Sequence, residues 1–209
     1  MRPGDPSVAA ILDAVAYLIA ILAGLVFGAG DQYLGTLSAG SFLGTWSWTV
    51  SGMSAPWVIV PFLAGLTQER SRRAMVLGLV VTLSALAGYF AMSHSPMEGA
   101  PLKDFWPRVV RMVTTGYNPA WIAAGLVTGP LLGYLGYRWR IDRWWVGALA
   151  VVGSLFLEPL ARLPVGMLSG APIVWGVEVA LGAIAGAGFA LAIVNARRVP
   201  ARVASSPPD

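Results

Sequence analysis

Long uncharged apolar stretches alternate along this chain with short clusters of arginine. A helix of ~20 apolar residues crosses the hydrocarbon core of a bilayer, and the pattern predicts six such spans. The first runs from Val8 to about Gly30, with Asp13 as its only charge and Ser7 as its N-cap. That charge and the length of the run distinguish it from a cleavable leader. The second, Ala55 to about Gln68, is short. Ser54-Ala55-Pro56 reads as a helix start with proline in the first turn, and Pro61 predicts a kink. Borrowed upstream residues would complete its crossing. Ala74–Ser93, Tyr117–Tyr137, Trp144–Leu163 and Ile173–Val194 are the remaining spans.

The connections differ in character. Gln32 to Met53 carries no charge and is rich in Gly, Ser, Thr and Trp. It is too polar for a span and too apolar for a solvated loop, so an interfacial or re-entrant segment is expected, its backbone covered by protein or water. Between His94 and Gly116, Asp104 can cap a short helix with Pro107 in its first turn. Phe105, Val109, Met112 and Val113 then fall on one face, with Arg108 and Arg111 opposite, the pattern of an amphipathic helix lying in the interface. Charged turns are expected at 68–73 and 138–143, and a basic, disordered tail at 197–209 after a single transmembrane domain, 1–196.

Composition narrows the class. Apolar residues make up 56% of the 209 and charged residues 11%, against ~25% charged in soluble domains. The fold class expected is all-α: a polytopic integral membrane protein. No cysteine is present, which excludes disulfides and thiolate metal sites, and the single His94 cannot supply a two-histidine metal or haem pair. No metal or cofactor is expected. The net charge of +4 comes from basic clusters between apolar segments, not from one patch with interleaved aromatics, so nucleic acid is not an expected partner. The lipid bilayer is.

Orientation follows from the same clusters. With the N-terminus inside, Arg2, Arg70, Arg72, Arg73, Arg138, Arg140, Arg143, Arg197, Arg198 and Arg202 face the cytoplasm. Lys103, Arg108, Arg111 and Arg162 fall outside, so six spans predict both termini inside. Trp139, Trp144 and Trp145 would mark the inner interface, and Trp57, Trp106, Trp121 and Trp175 the outer one. Arginine outnumbers lysine 13 to 1 amid abundant Ala, Gly and Val, as in GC-rich coding sequence, and a bacterial cytoplasmic membrane is the expected location.

Small residues recur four apart at Gly24/Gly28, Gly125/Gly129/Gly133, Gly182/Gly186, Ala10/Ala14 and Ala16/Ala20. They suit close helix packing within the bundle, or docking of a membrane partner subunit or a second copy. Gly78–Gly88 also aligns with Gly176–Gly186, as a three-plus-three inverted repeat would require.

Ionisable groups within a span are expensive and mark candidate sites. Asp13 reads as an interfacial carboxylate. Asp31, Glu158 and Glu178 fall in the outer third of the membrane, at a depth shared with Tyr89, His94, Tyr117, Asn118 and Trp121. Together they could line an outward-opening acidic cavity that binds a cationic or hydrogen-bonding solute. Glu158 precedes Arg162 by one turn, so an ion pair is an equal alternative, and Pro159 frees the carbonyl of Leu155. Glu178 has no basic residue within a turn. Asp31 with Gln32 also reads as a helix end, and His94 as a solvated loop residue. No nucleophile elbow, His-Glu-x-x-His or phosphate-binding glycine loop occurs, and no catalytic residue is assigned.

Ala55-Pro56-Trp57 before an apolar helix, the arginine turn, Gly88-Tyr89, Gly129-Pro130-x-x-Gly133 and the lone Glu158 together resemble an uncharacterised family of six-helix actinobacterial membrane proteins. The resemblance implies Gln32, Trp57 and Glu158 as positions to test and carries no activity. Gly28-Ala29-Gly30 stands where the family's threonine before that glutamine would be. In size, span number and outer-side site the chain is also similar in architecture to the substrate-binding subunits of energy-coupling-factor vitamin importers. A small-solute binding or transport component is therefore one expected function, and a membrane scaffold or envelope assembly partner the other.

Overall fold

The computed structural model describes residues 6–37, 42–99, 101–165 and 171–204. Among them are eight α-helices and no strand. They are α1 (Pro6–Thr36), α2 (Phe42–Ser51), α3 (Ala55–Leu66), α4 (Ser71–Met92), α5 (Phe105–Thr114), α6 (Asn118–Asp142), α7 (Trp145–Arg162) and α8 (Pro172–Ala204). Five of these are long and apolar enough to cross a membrane. The pair α2–α3, bent by 53° at its break, is the further candidate crossing. At ~1.5 Å per residue, twelve-residue α3 spans about 18 Å, well short of a ~30 Å core. α2 lies directly upstream of it, and the bent pair has the form of either one broken span or a re-entrant loop.

Several boundaries differ from the sequence reading. α1 begins at Pro6, so Ser7 lies inside its first turn, and the helix runs on through Asp31 and Gln32 to Thr36. Much of 32–53 is thus helical, because packing against neighbouring helices outweighs the weak helix propensities of its glycine, serine and threonine residues. The bend lies at Gly52–Ser54, and α3 continues through Pro61 to Leu66. α6 does not stop at Tyr137. Arg138 and Asp142 pair one turn apart at 2.5 Å and carry the helix to the left-handed Arg143. α8 continues through 197–204, where a disordered tail was expected, and 205–209 lie outside the described residues. α5 matches its expected span and half-buries Phe105, Val109, Met112 and Val113. Asp104 stands at its start with φ 62° and makes no side-chain cap.

α4 occupies the middle of the bundle, packed on α1, α3 and α6, while α7 joins α8 to α3 and α6. α1, α4 and α7 run one way; α3, α6 and α8 run the other. Lipid tails are as apolar as leucine, so hydrophobicity does not draw these helices together and van der Waals approach must. Glycine supplies it. A Cβ on Gly28 would stand 1.7 Å from the Ala85 carbonyl oxygen, and one on Gly65 1.9 Å from that of Gly133. Gly24 meets Val81 and Ala85, Gly88 meets Leu25, and Gly78 meets Gly129 and Gly133. Gly182 and Gly186 touch only side chains of α7, and Gly176 faces open space. The aligned glycines of α4 and α8 therefore do different work. Ala20 is buried against Leu77 and Val81 and Ala16 is half-buried, so that pair is spent inside the bundle, whereas Ala14 is exposed.

Trp106, Trp121 and Trp145 are exposed, as a membrane belt requires, but Trp139 and Trp175 are buried. Trp139 packs edge-on against Phe189, with ring centroids 4.5 Å apart, in the core shared by α3, α6 and α7. At this end of the bundle Arg73 pairs with Asp13 at 2.7 Å, which gives Asp13 a cationic partner and not water alone. Arg140 donates to the Thr67 carbonyl at the end of α3.

Gly28→Leu should destabilise the detergent-purified protein by about 1–3 kcal/mol or more, read as a lower unfolding midpoint. Gly188→Ala, with nothing within 4 Å of its Cβ, should leave the midpoint within error. Equal effects at the two sites would refute close packing as the determinant.

Candidate functional site

The break between α2 and α3 is the centre of the polar end of the molecule. A helix start leaves unpaired N–H groups, and in a bilayer water does not satisfy them. Here Glu158 of α7 takes two. Its Oε2 accepts from the Ser54 N–H at 2.6 Å and the Ala55 N–H at 3.1 Å, while the Ser54 hydroxyl donates to Oε1. Pro56 has no N–H, and that of Trp57 donates to the Ser54 carbonyl. On the other side of the break the Gly52 carbonyl, at the end of α2, accepts from Arg162 Nη2. The same guanidinium pairs with Glu158 Oε1 at 2.7 Å. Anion at a helix start and cation at a helix end both match the helix dipoles. The Glu158–Arg162 ion pair expected from spacing is thus present and splices the broken helix.

Arg162 also stands over the Trp175 ring, 5.2 Å from its centroid. One turn along α8, Glu178 is fully buried within electrostatic reach of Glu158 and Arg162. Among the described residues neither of its carboxylate oxygens, nor the Trp175 indole nitrogen, has a hydrogen-bond partner.

Two cavities adjoin the break. One, of about 410 Å³, lies between α1, α3, α4 and α6 and is lined by Asp31, Trp57, Tyr89, Asn118 and Trp121, with Thr82, Phe90 and Thr128. The other, of about 370 Å³, is lined by Gln32, Trp48, Thr49, Tyr89, Arg162 and Trp175. Ser51, Gly52 and Tyr89 belong to both. Asp31 is nine-tenths buried, and its side-chain hydrogen-bonding neighbour is the Trp57 indole. Trp57 in turn packs edge-on against Phe27 at 5.1 Å and Tyr89 at 6.3 Å.

The expected site residues therefore divide. Asp31, Trp57, Tyr89, Asn118 and Trp121 converge on one cavity, and Gln32 lines the neighbouring one. Glu158 and Glu178 line neither: the first is consumed by backbone amides and the second is enclosed. The acid of the cavity is Asp31. Tyr117 is exposed and lies outside both. His94 is half-buried in the loop after α4, with its Nδ1 2.9 Å from the Ser93 carbonyl oxygen. Beside it Glu98, which accepts from the Gln32 amide at 3.3 Å, has its carboxyl pushed up by burial, against the opposing pull of Gln32 and His94. Trp48, Thr82 and Thr128 carry no signal in the sequence, and Trp175 reads there only as an interfacial tryptophan. A threonine or tryptophan in an apolar run carries no mark of the cavity it will face. No group of three or more metal-ligating side chains occurs among the described residues.

The chain matches no family model, no curated protein and no solved structure.

Glu158→Gln should cost about 1–3 kcal/mol of stability, because it removes the charged partner of Arg162 and of the Ser54 and Ala55 amides from a part-buried network. The double variant Glu158→Leu/Arg162→Leu should cost less than the sum of the two single changes, because they share partners. Additive losses, measured by reversible unfolding in mixed micelles, would show that the two side chains act separately.

Proposed function

We propose that this chain is a six-span protein of a bacterial cytoplasmic membrane, with both termini inside, that binds a small solute in an outward-opening cavity. The 410 Å³ cavity carries the reading. Ligand pockets hold ~300–1,000 Å³, mostly apolar walls and a few convergent polar groups. Here side chains from four helices converge with one buried acid among aromatic rings. Irregular backbone at membrane depth is tolerated where it lines a cavity, and the α2–α3 break lies against both cavities. The arginine distribution supports the orientation, which places this end of the bundle outside.

Transport, as opposed to binding alone, would require a partner subunit or a rearrangement. The exposed Ile11, Ala14 and Leu18 side of α1 is the face left for a partner, since Ala16 and Ala20 pack inward. Resemblance to the uncharacterised actinobacterial family and to the vitamin-importer subunits agrees with this class in architecture.

A broad solute screen by thermal stabilisation of the purified protein tests the reading, and at least one compound should raise the unfolding midpoint saturably. Ala124 lines the cavity and its own helix face is exposed. Ala124→Trp should therefore abolish that stabilisation while the unliganded midpoint changes little. A screen in which no compound stabilises the protein would refute solute binding.

A further inference from the structure

The 410 Å³ cavity has an unusual balance of hydrogen-bonding groups. Thr82 donates its hydroxyl proton to the Gly78 carbonyl at 2.8 Å, and Thr128 donates to that of Ala124 at 2.9 Å. Asn118 donates from Nδ2 to the Met112 carbonyl at 2.8 Å. The Ser51 and Ser54 hydroxyls donate to Trp48 and Glu158. One donor on each of five lining side chains is thus turned back onto the protein. The four hydroxyls keep lone pairs for a ligand, Asn118 keeps its amide oxygen and one N–H, and the Tyr89 hydroxyl and Trp121 indole add one donor each. Asp31 adds a carboxylate, nine-tenths buried, and among the described residues no basic side chain lines the cavity or forms an ion pair with Asp31. Trp57, Tyr89 and Trp121 contribute aromatic surface.

A buried carboxylate without a counter-ion is costly, and a lining in which acceptors outnumber donors disfavours anions and carbonyl-rich ligands. Aromatic rings attract cations. We propose that the occupant is a small organic cation bearing N–H groups, an ammonium or guanidinium compound, with Asp31 as its counter-ion and the aromatic rings around its apolar part. This deepens the solute-binding reading above and rests on it. The rim tryptophan, Trp121, is exposed and stands where the ligand's apolar end would leave the acceptor-lined part of the cavity.

The test uses the full-length protein in nanodiscs of uncharged lipid and matched probes of one shape. These are 2-phenylethylammonium, neutral 2-phenylethanol and anionic 3-phenylpropionate, with butylammonium and butylguanidinium as aliphatic cations. Calorimetric titration should show at least one cation binding ten-fold or more tightly than the neutral and anionic probes. Asp31→Asn should weaken that cation at least ten-fold and bring it level with the alcohol. If the neutral or anionic probe binds as well as every cation, or if only uncharged compounds from the broad screen bind, the cation assignment is overturned while solute binding stands. If no compound of any charge binds, both fall. Should Asp31→Asn fail to fold, the charge series on the unaltered protein still decides between these outcomes.

Discussion

A broken helix in a low-dielectric medium needs its exposed backbone ends covered, and the polar end of this bundle is organised by that need. Water would satisfy the amides of Ser54 and Ala55 and the carbonyl of Gly52 at no cost on the surface of a soluble protein. Where such groups are withdrawn from water, each unsatisfied one costs several kcal/mol. Glu158 and Arg162, one turn apart on α7, meet the requirement with two side chains that neutralise each other. The carboxylate faces the positive end of α3 and the guanidinium the negative end of α2. Because the groups bridged are more than 100 residues apart in sequence, the pair also fixes α7 against α2 and α3. At the far end of α3, Arg140 of α6 covers the Thr67 carbonyl. The short helix is thereby held at both ends by charges from two different neighbours.

With α3 fixed, the glycine contacts set how tightly the middle of the bundle closes. Backbone meets backbone at Gly28 and Ala85, Gly65 and Gly133, and Gly78 and Gly129. Glycines that line the cavities face side chains instead: a Cβ on Gly125 would meet those of Leu86 and Thr82, and one on Gly35 that of Ser51, while at the same level Gly28 and Gly88 keep α1 and α4 in backbone contact.

The sequence makes the long spans legible because length and hydropathy are local properties. The same holds for α5, for Pro56 in the first turn of α3 and for the spacing of Glu158 and Arg162. It also brings Asp31, Tyr89, Asn118 and Trp121 to a common depth by counting along spans. It does not show what Glu158 is for. A residue 104 positions from Ser54 gives no local sign that it will cap that helix, and in isolation a lone intramembrane acid reads as a ligand-binding group. Trp139 and Trp175 mislead for a related reason. An indole at a span end suits an interface, yet here Phe189 and the Arg162 guanidinium supply enclosing partners. Arg138 seemed to end its helix because arginine clusters mark turns, but its pairing with Asp142 is a helical one.

The fates of the four acids first singled out follow from what surrounds each one. Asp13 has Arg73, and Glu158 has Arg162 and two amides; both are neutralised inside the chain. Glu178 is enclosed with its charged neighbours at hand but no hydrogen-bond donor among the described residues. Asp31 differs from all three. It is buried, it borders an accessible space, and the threonine hydroxyls sharing that space have spent their donors elsewhere. A protein that needed this carboxylate only for stability could have opposed it with one of its thirteen arginines, as it did for Asp13 and Glu158. Leaving the charge unopposed costs stability at that position, and a cation arriving from outside would return it on binding. On the proposed reading, ligand binding would therefore stabilise the state that holds the ligand.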